Sequence, residues 1–163
     1  MRLLGHKLPL TAQIGIFIIV VNLFVALFAP FIAPYSEADI VCDAWADPSS
    51  QFWFGCDNLG RDIMSRMIYG ARMSIGLSLM ITALCFVIGI ITGFAAAISG
   101  RWLDIFLSRL VDLLLSMPTL IFAFVILSVL GTDLHVLIIT IALLYAPIVF
   151  RLARAVAMNI TVL

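Results

Sequence analysis

Charge is scarce in this sequence. Nine Lys and Arg and nine Asp and Glu make up 11% of its 163 residues, against about 25% in a soluble globular domain. Histidine is nearly absent too, with only His6 and His135. Without more histidines, or a nucleophile paired with a base, there is nothing to build a catalytic or metal centre, so the chain does not read as an enzyme and calls for no cofactor or metal. His135, next to Asp133, reads as a hydrated loop residue. The charges balance to zero and form no basic block, so nothing here would grip nucleic-acid phosphates. Nor is there a ten-residue alternation of apolar and polar positions, which disfavours a membrane barrel.

What is present is grease, in long charge-free intervals. Hydrophobic residues make up 64% of the chain. A bilayer core about 30 Å thick needs about 20 apolar helical residues to cross it. The charge-free intervals are positions 8–36, 73–100, 113–132 and 134–150, of 29, 28, 20 and 17 residues. Hydrocarbon offers peptide groups no hydrogen-bond partner, so these intervals predict helices. The expected fold is an all-α, polytopic transmembrane bundle with four spanning helices. A cleaved signal peptide is disfavoured at the start: the apolar run is too long and has no clear small-residue cleavage site.

Orientation follows the Lys and Arg residues. With the N-terminus in the cytoplasm, Arg2, Lys7, Arg101, Arg109, Arg151 and Arg154 lie inside, and Arg61, Arg66 and Arg72 outside. The expected organisation is a tail and first helix over 1–36, an outer segment over 37–72, and a core over 73–163. Gly89 and Gly93 form a G-x-x-x-G spacing, read as an intrachain contact ahead of a dimer motif. The stretch "SGRWLDIFLSRLVD" reads as an amphipathic approach to the membrane surface, with Arg109 and Asp112 spaced to pair. Pro118 and Pro147 fall inside apolar intervals and are expected to bend their helices. The resulting gap is either a translocation path or irregular packing. Cys85 reads as an apolar filler. Cys42 and Cys56 fall in the outer segment, where a bacterial envelope is oxidising; a bridge between them is expected, closing a loop of about 15 residues worth about 3 kcal/mol.

The densest polarity is in "FGCDNLGRDIMSRMIYGARMS", residues 54–74. Asn58 and Gly60 are turn formers, Asp57 or Asp62 is placed to cap a following helix, and Arg61, Ser65 and Arg72 are set apart from Ile63, Met67 and Ile68. The stretch reads as a hydrogen-bonded entry into the second span. It resembles the signature of the C-type permease subunits of binding-protein-dependent ABC importers for dipeptides, oligopeptides and nickel. Members carry "G-T-D-x-x-G-R-D" followed by "S-R-x-x-Y-G-A-R-x-S", matched by Gly55, Asp57, Gly60, Arg61, Asp62, Ser65, Arg66, Tyr69, Gly70, Ala71, Arg72 and Ser74. The likeness continues through "DIFLSRLVDLLLSMPTL" to "YAPIVFRLARA". Cys56 stands where the family usually has threonine, a further reason to expect the bridge to Cys42.

The resemblance implies the N-terminal part of a six-helix type I importer permease in a bacterial inner membrane. It implies as partners a second permease subunit, two cytoplasmic ATP-binding subunits and an extracytoplasmic solute-binding protein. It also implies a truncated permease, because the sequence stops at Leu163, where the ATPase-coupling loop with its Glu-Ala-Ala motif is expected to begin. The competing expectation is a small membrane assembly protein without transport activity, or the inactive fragment of a broken permease gene. The signature does not separate peptide from nickel cargo.

Overall fold

The structure, a computed structural model, describes residues 2–3, 6–7 and 9–161, with side chains over 9–159. Among the described residues, a two-residue antiparallel pairing, β1 (Arg2–Leu3) with β2 (His6–Lys7), precedes six helices. These are α1 (Leu10–Leu27), α2 (Ala29–Ile32), α3 (Ile63–Ile98), α4 (Arg101–Ser116), α5 (Thr119–Leu130) and α6 (Leu134–Thr161). Among the described residues, three helical stretches are long and apolar enough to cross a membrane: Leu10–Leu27, Ile63–Ile98 and Leu134–Asn159. The α4–α5 pair makes a fourth when its two arms, bent by 94°, are taken together.

Two compact units divide the chain, residues 1–76 and 77–163. In the first, α1 ends at Leu27, short of the predicted interval. Pro30 lacks an N–H and its ring collides with the carbonyl four residues back, so the chain turns at Phe28 and restarts as α2. Most of α1 is exposed, with Ala26 its one buried residue. A helix that is apolar all round is built to face lipid. The segment expected as outer loop, 37–72, is loop only as far as Asp62; its last ten residues form the first turns of α3. At 1.5 Å per residue the 36 residues of α3 reach about 54 Å, well beyond a hydrocarbon core of about 30 Å.

In the second unit, α6 is the central element, packed against α4, α5 and the later part of α3. Ala142, Ala146, Ala153 and Ala157 are buried along it. Small side chains let backbones close in, which is how helices associate where lipid offers no hydrophobic drive. The G-x-x-x-G spacing is used here, within the chain. A Cβ on Gly89 would lie 2.5 Å from the Val149 Cβ, and one on Gly93 would lie 2.8 Å from the Ala153 Cβ. Cys85 packs with Ala142 and Ala146 as the expected apolar filler.

Pro118 acts more sharply than a bend. Met117, forced toward extended geometry by the proline that follows, ends α4, and α5 restarts after Pro118. α5 keeps 12 residues, about 18 Å. It stops at Gly131, whose φ of 92° puts it in the left-handed region and whose N–H donates to the Leu127 carbonyl at 3.0 Å. Pro147 lies inside α6, which continues through it.

The packing predicts a contrast between glycines. Gly89→Ala and Gly93→Ala should each lower thermal stability in detergent, by about 1–3 kcal/mol of overpacking. Gly76→Ala meets nothing within 4 Å and should hold or raise the melting temperature. Equal behaviour of the three variants would contradict the close approach of α3 to α6.

Candidate functional site

The polar stretch before α3 folds on itself through backbone bonds between 41–46 and 55–61. The Gly60 carbonyl accepts from the Val41 and Cys42 N–H groups at 2.8 and 3.2 Å. The Trp45 N–H donates to the Asp57 carbonyl, and the Cys56 N–H to the Ala46 carbonyl, both at 3.0 Å. Across this join Cys42 and Cys56 form a disulfide, with their Cα atoms 6.5 Å apart. Two glycines permit the approach. Gly55 and Gly60 have φ of 70° and 74°, and a Cβ on them would lie 2.4 Å from the Ala46 carbonyl oxygen and 2.2 Å from that of Cys42. Trp45 has φ of 60°, a region that non-glycine residues rarely occupy, and its backbone is held there by the bond to Asp57.

Asp57 is the centre of this fold. Its Oδ1 accepts from the Leu59 N–H at 2.8 Å and the Arg61 N–H at 3.0 Å. Its Oδ2 accepts from the Arg61 Nε at 3.0 Å and from the Arg66 guanidinium. The carboxylate is buried, and four donors fill its four lone-pair sites. The Arg61 backbone N–H, opposed by burial and joined by the Leu59 N–H and the Arg61 guanidinium, lowers its pKa to about 2.

The next carboxylate, Asp62, starts α3. Its Oδ2 accepts from the Ser65 N–H at 2.8 Å and the Ser65 hydroxyl at 2.7 Å. This is an N-terminal cap, in which a side chain satisfies an N–H of the first turn. The fully buried Ser65 Oγ also accepts from the Tyr35 N–H at 3.1 Å, tying the chain just after α2 to the start of α3.

The signature residues thus divide. Gly55, Asp57, Gly60, Arg61, Asp62, Ser65 and Arg66 build one hydrogen-bonded hub. Gly70, Arg72 and Ser74 are exposed further along α3, with Tyr69 and Ala71 half-buried beside them. A Cβ on Gly70 would meet nothing within 4 Å, so this chain does not itself require glycine there.

A second polar cluster lies between α4 and α6, and sequence reasoning missed its pairing. Asp104 receives the Arg154 guanidinium through Nε and Nη2, the latter at 2.7 Å, and Asp112 receives Arg151 Nη2 at 2.7 Å. Asp112 therefore pairs across helices instead of with Arg109 on its own. Aspartates eight residues apart and arginines three apart, with Asp112 and Arg151 each bordering a charge-free interval, were the available signal. A largely apolar groove of about 400 Å³ lies between α3 and α6, with the Ser78, Thr82 and Tyr145 side chains in its wall. Among the described residues, no three His, Cys, Asp or Glu side chains gather as a metal site.

Lipid-length helices, one helix pair broken at Pro118 and a polar hub at a helix entry are the features of a polytopic membrane protein. Two family descriptions match in succession: the N-terminal transmembrane domain of oligopeptide transport permease C over residues 2–48, and the binding-protein-dependent transport system inner membrane component over residues 86–161. The chain belongs to this permease family and is a multi-pass inner-membrane protein. It is 35% identical over 145 residues to the dipeptide transport system permease protein DppC of Alkalihalophilus pseudofirmus, covering 88% of this chain and 48% of that protein. It is 35% identical over 152 residues to the di/tripeptide transport system permease protein DppC of Pseudomonas aeruginosa, covering 89% and 50%. It is 33% identical over 151 residues to the probable D,D-dipeptide transport system permease protein DdpC of Escherichia coli, covering 92% and 50%. The chain spans about half the length of these curated relatives. The hub itself lies between the two matched segments.

Two predictions follow from the hub's chemistry. A carboxylate whose folded pKa lies below its unfolded value adds stability above the unfolded value of 3.8, and this is lost as pH falls toward about 2. Hydrogen-exchange protection of the Leu59 and Arg61 amides, corrected for intrinsic exchange, should therefore hold at pH 5 and decline between about pH 4 and 2. In Asp57→Asn the protection should be lower and no longer vary over that range. Gly60→Ala should cost at least about 1–2 kcal/mol for the left-handed backbone alone, read as easier reduction and proteolysis of the 37–62 segment.

Proposed function

We propose that the chain is part of the membrane-embedded permease subunit of an ABC importer, with peptides as its cargo class. It works beside a second permease subunit, two cytoplasmic ATP-binding subunits and an extracytoplasmic solute-binding protein. The observation that carries this reading is the likeness to dipeptide permeases over nearly nine-tenths of the chain, with the first seven residues of the permease signature folded into one hub. Its N-terminus lies in the cytoplasm and the hub faces outward. The distribution of Lys and Arg supports that orientation, as does the Cys42–Cys56 disulfide, which belongs to an oxidising compartment.

In this reading the hub has two tasks. Its buried half fixes the angle at which α3 leaves the outer segment. Its exposed half, with Arg72 and Ser74, forms part of the docking and gating surface. The hydroxyls of Ser78, Thr82 and Tyr145 line the α3–α6 groove, where a peptide backbone finds hydrogen bonds on an otherwise apolar wall.

Two experiments test this. Replacing the matching residue for Arg61 or Arg66 by Ala in a full-length relative should reduce dipeptide uptake; normal uptake at normal expression refutes a functional role for that arginine. A reporter that is active only in the cytoplasm, fused at position 50, should be silent, and a bright signal refutes the orientation.

A further inference from the structure

We propose that α4 lies along the membrane surface as an amphipathic helix and that its partner there is an anionic lipid leaflet. The argument begins with what α4 cannot do. Its 16 residues include Arg101, Asp104, Arg109 and Asp112, too many charges for hydrocarbon. It meets α5 at 94°. α5 carries no charge and suits the bilayer interior, so a right-angle junction leaves α4 in the plane of the interface.

The faces of α4 agree. One face packs into the protein: Val111 is buried with Ala96 and Phe150, and Leu107 and Leu115 pack against them. At 100° per residue, Trp102, Phe106, Leu110 and Leu113 fall on the opposite side. All four are exposed, Trp102 at 90%. An indole and a phenyl ring beside leucines is what the boundary between headgroups and acyl chains accommodates.

Charge then selects the kind of lipid. The two aspartates of α4 are neutralised by Arg154 and Arg151 of α6. Arg101 and Arg109, both exposed, make no ion pair among the described residues. The helix therefore offers two uncompensated cations, Arg109 beside the apolar face and Arg101 at the start of the helix, the complement of anionic headgroups over hydrocarbon. Removing the aspartates from the balance is what the α4–α6 pairs contribute to this surface.

The test uses the full chain in nanodiscs of phosphatidylcholine with phosphatidylglycerol. In the Trp45→Phe, Trp53→Phe variant, Trp102 is the remaining indole. Its fluorescence should be quenched most by lipids brominated near the headgroup and least by lipids brominated near the chain end. Phosphatidylglycerol retained per protein should fall about fivefold for each of Arg101→Gln and Arg109→Gln, and Arg109→Lys should retain it. Strongest quenching near the chain end would overturn the proposal, because α4 would then cross the bilayer. Quenching by aqueous acrylamide alone would overturn it as well, since that face would then be wet or under another protein. Unchanged phosphatidylglycerol in the Arg101→Gln, Arg109→Gln double variant, measured with all tryptophans in place, would remove the anionic specificity.

Discussion

Inside hydrocarbon no water takes up a peptide N–H or C=O, so the protein itself must supply the partner, and this constraint shapes the spanning helices. Each of the four long charge-free intervals is mostly helix, and the long departure from helix before α3 is supplied with polar partners. Between Ala33 and Asp62 the backbone leaves regular structure for some thirty residues. There the Gly60 carbonyl, the Asp57 carboxylate and the Ser65 hydroxyl take up the N–H groups that a helix would otherwise satisfy. The Met117–Pro118 break is brief, and proline at that point carries no N–H to leave unsatisfied. The lengths of α3 and α6 follow the same logic. Each exceeds the hydrocarbon core and carries its arginines in the excess, Arg66 and Arg72 early in α3 and Arg151 and Arg154 late in α6.

Within the second unit the driving force is close approach. Lipid tails are as apolar as leucine, so exchanging lipid for a neighbouring helix gains little from burial and more from dense contact. Gly89 and Gly93 on α3 meet Val149 and Ala153 on α6, and the buried alanines of α6 continue the stripe. Larger residues could not substitute without pushing the backbones apart. The ion pairs at α4 have a different role. Arg151 and Asp112 are each 56% exposed, where such a pair contributes only about 0.2–1 kcal/mol. They set which face of α4 turns inward more than how firmly it is held.

Much of this was legible from residue order because charge and apolarity are coarse, one-dimensional signals. The helical class and the spans at α1, α3 and α6 rest on such signals, while the intrachain use of Gly89 and Gly93 and a capped helix entry at Asp57 or Asp62 rest on residue type and spacing. The third apolar interval was less legible. Its composition gives one span of 20 residues, but Pro118 divides it nearly at right angles, and the angle depends on packing against α6 rather than on hydropathy. The partners of Asp104 and Asp112 were hidden for a related reason. Arg109, three positions from Asp112, is a local candidate, whereas Arg151 is 39 residues away and reaches Asp112 only once α4 and α6 are packed. The Tyr35–Ser65 bond is likewise invisible, because a backbone N–H carries no sequence signal.

The hub shows why a short signature can carry so much structure. A carboxylate has two oxygens with two lone-pair sites each, and Asp57 uses all four on donors from Leu59, Arg61 and Arg66. Arg61 supplies two of the donors, one from its backbone and one from its guanidinium, so a single residue closes the turn and neutralises its charge. Lysine offers a point charge on a flexible stem and could not match that geometry. Asparagine at 57 would keep one acceptor oxygen and present an NH₂ group to the guanidiniums. The spacing Asp57, Gly60, Arg61 is therefore a geometric unit: the glycine admits the left-handed turn against the Cys42 carbonyl, and the turn brings the arginine amide back onto the aspartate. The Cys42–Cys56 disulfide then ties two sides of a loop that these bonds have already joined.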